Sequence, residues 1–322
     1  GTDVPKGNYA DLTTKGFELS VSWRDQFQLA SKPFNYEVRF TLADYQSTID
    51  KYNNPEKKLG DDYYYEGMKV GEIWGYETEG FFTSQADIDS HAKQPYFYAG
   101  ATAGQWLPGD IKFKDLNGDG VIDYGNNTVD NPGDQKIIGN SEPRFIYGIN
   151  LSGDWNNFFV SAFFQGVGKQ DWWPGSEASY FWGMYNRPYN DMPKSHLGNI
   201  WTEENPNTYF PRLRGYSSEE PYAELNLKQT RYLQNIAYIR MKNIQLGYTL
   251  PKSFISKLRM QNAKVYVSGE NLWSWSPFYK YSKDLDVEAV RGSDRDLTEG
   301  TSGNGYSYPI LKSVSFGLSV TF

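Results

Sequence analysis

The last ten residues constrain this chain more than any other segment. Val314, Phe316, Leu318, Val320 and Phe322 alternate without a break with Ser313, Ser315, Gly317, Ser319 and Thr321. Successive side chains of an extended strand point to opposite sides, so this run has one apolar face and one small polar face. The pattern recurs upstream. Phe17, Leu19, Val21 and Trp23 alternate with Glu18, Ser20, Ser22 and Arg24, and Phe34, Tyr36, Val38, Phe40 and Leu42 with Asn35, Glu37, Arg39 and Thr41. Similar runs include Phe145–Leu151, Phe158–Gln165, Ile244–Leu250 and Ala263–Glu270. Seven strands are expected, at about 15–24, 34–44, 144–152, 157–166, 236–250, 262–273 and 310–322.

Alternation alone also suits a soluble sandwich, and the connections decide against it. If the last strand runs down to a periplasmic end, residues 24–33, 152–157 and 251–261 fall on that side and are short. Residues 45–143, 166–235 and 274–309 fall on the other side and are long. Short periplasmic turns and long extracellular loops are the habit of outer-membrane barrels, whereas compact sandwiches seldom carry long irregular connections. Aromatic content agrees: 26 Tyr, 19 Phe and 10 Trp make up 17% of the chain. Trp23, Phe34, Tyr36, Trp155, Tyr248 and Phe322 gather near the short-turn strand ends, where amphipathic rings prefer the membrane interface. No stretch is long and apolar enough for a membrane helix. An odd set of seven strands leaves edges that cannot face lipid. The expectation is therefore an all-β chain forming the C-terminal portion of a large antiparallel transmembrane β-barrel, with further strands and an export signal upstream of Gly1.

Composition excludes several other functions. The absence of cysteine rules out disulfides, thiolate metal sites and cysteine nucleophiles. A net charge of −7 gives no footprint for nucleic acid. His91 and His196 are too far apart for a zinc motif, and neither a nucleophile elbow nor a phosphate loop occurs. Catalysis is not expected.

Several longer motifs are recognisable in order along the chain. They are Gly71-Glu-Ile-Trp-Gly-Tyr-Glu-Thr-Glu-Gly-Phe81, Gly109-Asp-Ile-Lys-Phe-Lys-Asp-Leu-Asn-Gly-Asp-Gly120 and Ile138-Gly-Asn-Ser-Glu-Pro-Arg144, followed by Tyr238–Pro251, Val267–Trp273 and Tyr308–Phe322. This ordered set resembles the SusC/RagA-like family of TonB-dependent outer-membrane transporters. The resemblance implies a 22-stranded barrel with an N-terminal plug in the outer membrane of a Gram-negative, Bacteroidetes-type cell. It also implies a SusD-like lipoprotein lid, energy from an inner-membrane TonB complex, and a bulky ligand, an oligosaccharide or a peptide. The plug and TonB box are absent from residues 1–322. A passive porin or a surface adhesin is the alternative for a barrel, and a secreted carbohydrate-active enzyme conflicts with the barrel pattern.

Three groups of residues are candidates for function. Asp115-Leu-Asn-Gly-Asp-Gly-Val-Ile-Asp123 reproduces nine positions of an EF-hand-type loop. Side-chain oxygens of Asp115, Asn117, Asp119 and Asp123 and the carbonyl of Val121 would hold calcium, or another hard cation. The twelfth position is Asn126 instead of the usual glutamate, and an ion-free Asp/Asn-Gly turn is the alternative. Trp172, Trp173, Trp182, Tyr185 and Arg187 could bind ligand by stacking on sugar rings or gripping peptide side chains. The alternative is that these aromatics pack the loop's own interior. Glu18, Arg24, Glu37, Arg39, Arg240, Lys242, Lys264 and Glu270 would form a charge ladder lining a water-filled lumen.

Overall fold

In a computed structural model of the chain, the described residues are 10–61, 63–94, 106–176, 178–187, 189, 191–214, 218–219, 223–290, 302–303 and 308–322. The alternating runs become β1 (Asp11–Leu29), β2 (Lys32–Lys51), β3 (Arg144–Trp155), β4 (Phe158–Lys169), β5 (Tyr238–Thr249), β6 (Asn262–Trp275) and β7 (Ser313–Thr321). They pair in chain order into one seven-stranded antiparallel sheet.

Register explains why the sheet has two unlike faces. Residues opposite one another on neighbouring strands share a face, because side chains alternate with period two. One row runs Trp23, Val38, Leu151, Ala162, Ile244, Gly269, Val314 across all seven strands. Two residues along, Tyr36, Gly153, Val160, Leu246, Val267 and Phe316 align, and then Phe34, Trp155, Phe158, Tyr248, Val265 and Leu318. These side chains face open space: Trp23 is 61% exposed and Phe316 85%. The opposite face carries the row Arg24, Glu37, Ser152, Ser161, Gln245, Ser268, Ser315. Along these rows the outside is apolar but for Asp25 opposite Tyr36, and the inside is polar but for rings such as Phe159 and Phe163, the pattern of a barrel wall in lipid.

The β1–β2 hairpin is longer than the alternation suggested. Its strands hold 19 and 20 residues, about twice the 9–11 that cross a bilayer. The connection expected at 24–33 narrows to Ala30-Ser31, both with left-handed backbone (φ 48° and 62°). Asn156-Asn157 turns likewise between β3 and β4 (φ 47° and 71°). Two left-handed central residues define the turn whose twist matches antiparallel strands. Asparagine adopts that conformation readily, but Ala-Ser carries no such signal, which is why the first turn is misplaced from sequence. Phe27 and Phe34 face one another across it, ring centroids 5.1 Å apart.

The three long connections meet at the other end of the sheet and fold into one cap. Its core takes Ile111, Phe113 and Ile122 from the first, Trp172, Trp182 and Phe210 from the second, and Phe278, Leu285 and Val287 from the third. Val167 and Tyr238, in β4 and β5, tie this core to the wall. A smaller core gathers Ile49, Leu59, Tyr65 and Met68 beside the outer half of β2. There residues 67–70 line that strand, with Ile49 N–H donating to Met68 O (2.9 Å) and Val70 N–H to Ser47 O (3.0 Å). Below them the Arg144 guanidinium grips the Asp44 carboxylate with two 2.6 Å bonds, fixing where the first connection re-enters the wall. Such bidentate pairs give direction as well as strength.

Candidate functional site

The polar face of the wall is one candidate surface. Arg24 pairs with Glu37 directly opposite it (2.9 Å), as a charge ladder would. Arg240 and Lys242 do not. Arg240 is buried against Asp286 (2.6 Å) and Glu288 (2.8 Å), and Lys242 reaches Glu288 at 2.5 Å. These acids belong to the connection after β6, which folds back over the inner face. The ladder expected from alternation is thus replaced at β5 by ion pairs to a loop. Spacing cannot reveal this, because the partners lie 46 residues apart.

The aromatic candidates occupy the cap interior. Trp172, Trp182 and Tyr185 are fully buried and Trp173 nearly so. Trp172 packs edge-on against Phe181 and Phe278, and Trp182 against Tyr232. The Trp182 indole N–H donates to Pro174 O (3.1 Å), and the Tyr185 hydroxyl to Pro211 O (2.5 Å). Burial holds the Tyr185 hydroxyl far above its usual pKa, so it stays a neutral donor. Arg187 is half-buried and donates to Asn186 Oδ1 (3.2 Å). The four aromatics present no open face to a ligand here; they supply the apolar interior that a connection this long needs.

Backbone amides hold the acidic loop. Asp115 accepts from Gly118 N–H (2.7 Å) and Gly120 N–H (2.9 Å), Asn117 Oδ1 from Asp119 N–H (2.9 Å), and Asp119 from Val121 N–H (2.8 Å). Asp123 Oδ1 accepts from Gly125 N–H (2.7 Å). Gly118 and Gly120 take the positive φ values (77° and 83°) that the turn requires. Asp134, absent from the sequence motif, bonds Leu116 N–H and Asp123 N–H, with its pKa raised first by burial. Among the described residues, no three acidic or histidine side chains gather as a metal site. The oxygens of Asp115, Asn117, Asp119 and Asp123 thus cap the loop's own backbone, and each carboxylate keeps lone pairs beyond these bonds.

Sequence reasoning missed an open cleft of about 640 Å³ on the cap. Residues from 59–61, 63–76, 124–135 and 226–228 line it. Its floor exists because Gly75 lets the Lys228 carbonyl approach; a Cβ there would lie 2.3 Å from that oxygen. Tyr76 N–H donates to the same carbonyl (2.8 Å), and Thr230 N–H to Tyr76 O (3.0 Å). On one wall the Trp74 indole N–H donates to the Tyr65 hydroxyl (3.3 Å), which in turn donates to Glu72. Burial, and then that bond to Glu72, raises the Tyr65 pKa, so the phenol remains protonated. Tyr63 and Tyr124 stand at the rim, 47% and 39% exposed. The only sequence hint was the run Tyr63-Tyr64-Tyr65 ahead of the Gly71–Phe81 motif, because the other walls come from remote segments.

Comparison with known proteins bears on both wall and cap. No family model matches the chain. TonB-dependent receptor P3 of Formosa agariphila is 26% identical over 333 residues, covering 98% of this chain and 29% of the receptor. TonB-dependent receptor P26 of the same organism is 26% identical over 332 residues, 98% of this chain and 30% of the receptor. This chain is similar to TonB-dependent receptors. It spans about 30% of their length. Among solved structures, the RagAB peptide transporter superposes with a TM-score of 0.64 at 17% identity, covering 98% of this chain and 30% of that one. The RagAB peptide importer in its open-open state gives 0.61 at 18% identity, covering 97% and 29%. The resemblance carried by the motifs is borne out, and the sheet is a portion of a large antiparallel β-barrel.

Proposed function

We propose that this chain is the C-terminal part of an outer-membrane transporter that imports a bulky nutrient, an oligosaccharide, using energy from TonB. The observation that carries the reading is the wall itself. A predominantly apolar face backs onto a predominantly polar one, and a packed cap closes over one end. Such a structure separates lipid from a polar passage and controls what enters it. Similarity to TonB-dependent receptors over 98% of the chain supports energised uptake over a passive porin or an adhesin. The long connections, about 45–143, 166–235 and 274–309, are assigned to the cell exterior, and a SusD-like lipoprotein to the surface above the cap. The membrane is the outer membrane of a Gram-negative, Bacteroidetes-type cell.

A peptide cargo is the second reading, because the solved neighbours are a peptide transporter and a peptide importer. Uptake of fluorescently labelled oligosaccharides and peptides by cells with and without the gene tests both. Accumulation of oligosaccharide that needs both the gene and TonB is expected. Accumulation of peptide alone would replace the cargo, and uptake indifferent to TonB would replace the mechanism with a passive pore.

A further inference from the structure

We infer that the open cap cleft is a docking subsite for a neutral saccharide, set apart from the buried aromatics and from the inner face of the wall. This rests on the oligosaccharide reading above and gives it a place. The volume of about 640 Å³ suits two or three sugar rings and lies within the usual range for small-ligand sites.

The lining decides the class of ligand. A sugar ring has an apolar C–H face and an edge of hydroxyls, so it needs an aromatic platform beside planar polar groups. Tyr63 and Tyr124 supply exposed rings at the rim, and Trp74 a half-buried ring below them. Asn127, Gln135 and Asn226 add side-chain amides along the same walls. An anionic ligand finds no uncompensated cation among the described residues, where the one lining cation, Lys228, is paired with Asp61. A peptide bound as an added strand would need an open strand edge. The nearest strand, Glu72–Tyr76, is paired along one side with Gln135–Asn140, and its Tyr76 end is bonded to Lys228 and Thr230 on the other. A neutral ring stacked on the tyrosines is what remains.

The test uses the full-length transporter purified in detergent and calorimetric titration with maltohexaose, cellohexaose, xylohexaose and mannohexaose, alongside a tryptic digest of casein. The variant is Y63A/Y124A, both exposed positions whose loss leaves the cap cores intact; Y180A, exposed elsewhere, is the control. At least one hexasaccharide should bind saturably, and the double variant should weaken it about tenfold, as expected for two lost stacking contacts. Y180A should leave binding unchanged. Equal affinity in wild type and the double variant would overturn the cleft while leaving oligosaccharide import standing. Binding of the peptide digest alone, or of nothing, would overturn both the cleft and the oligosaccharide reading.

Discussion

The wall and the cap use the same aromatic residues in opposite ways. In the wall, Trp23, Phe158 and Phe316 stand outward, 61%, 47% and 85% exposed. In the cap, Trp172, Trp182 and Phe210 are buried in one cluster. The backbone holds the wall: seven strands exchange ladder hydrogen bonds, and the apolar face has lipid for a solvent. Water holds the cap together, because its connections have few ladders and must hide their rings from solvent. One chain therefore contains two regions with opposite rules for what a large apolar side chain does.

The largest effect should come from removing a cap ring. Trp182→Ala deletes a fully buried indole and two hydrogen bonds, and should destabilise the cap by about 3–5 kcal/mol. Protease susceptibility of the long connections in the folded barrel is the readout, with the heat-modifiable gel shift of the wall retained. A cap as resistant as wild type would show that the rings are not its core.

A charge on the outer face of the wall comes next. Ile149→Arg places a guanidinium on the face turned to lipid, six residues from the interfacial Trp155, and should cost about 2–4 kcal/mol in urea unfolding from vesicles. Gln245→Arg, on the polar face, should cost little. Equal costs would erase the distinction between the faces.

The smallest effect concerns pH and should fall on the cap alone. Glu224 is fully buried beside Asp110, with Arg214 and Arg212 near, and accepts from Ile111 N–H (2.8 Å). Burial first, and then Asp110, pushes its pKa from 4.5 up to about 8. The folded cap therefore binds this proton more tightly than the unfolded chain does. Glu224's contribution is greatest below about pH 4.5 and declines as pH rises toward 8. Glu224→Gln should flatten the pH dependence of cap proteolysis between pH 5 and 8. An unchanged profile would assign that dependence to other groups.

Legibility in the sequence follows the same division. The seven strands could be read because a strand between lipid and water must alternate, and Ser313–Thr321 does so at every position. The Ala30-Ser31 turn could not, because its conformation is imposed by the flanking ladder and not by a glycine or asparagine. The cap was visible only as long aromatic connections; that Trp172 points inward depends on Phe278, more than a hundred residues away. The cleft escaped for the same reason, since Tyr63 and Asn226 share no periodicity. The acidic loop shows a subtler limit. Its spacing marks a tight Asx-Gly turn in which Asp115 satisfies two amides, and the same spacing serves a cation loop and an ion-free turn alike.

Val167 and Tyr238 have a consequence for how the molecule is made. They sit at the loop ends of β4 and β5, opposite one another in register, and both belong to the cap core. That core also needs rings from connections that begin after β2 and end before β7. It therefore cannot close until the strands between them have zipped into register. A barrel halted midway displays on one end the tryptophans and phenylalanines that the finished molecule conceals. Completion is thus written on the outside as a change from sticky to smooth, legible to any chaperone or protease that samples surfaces.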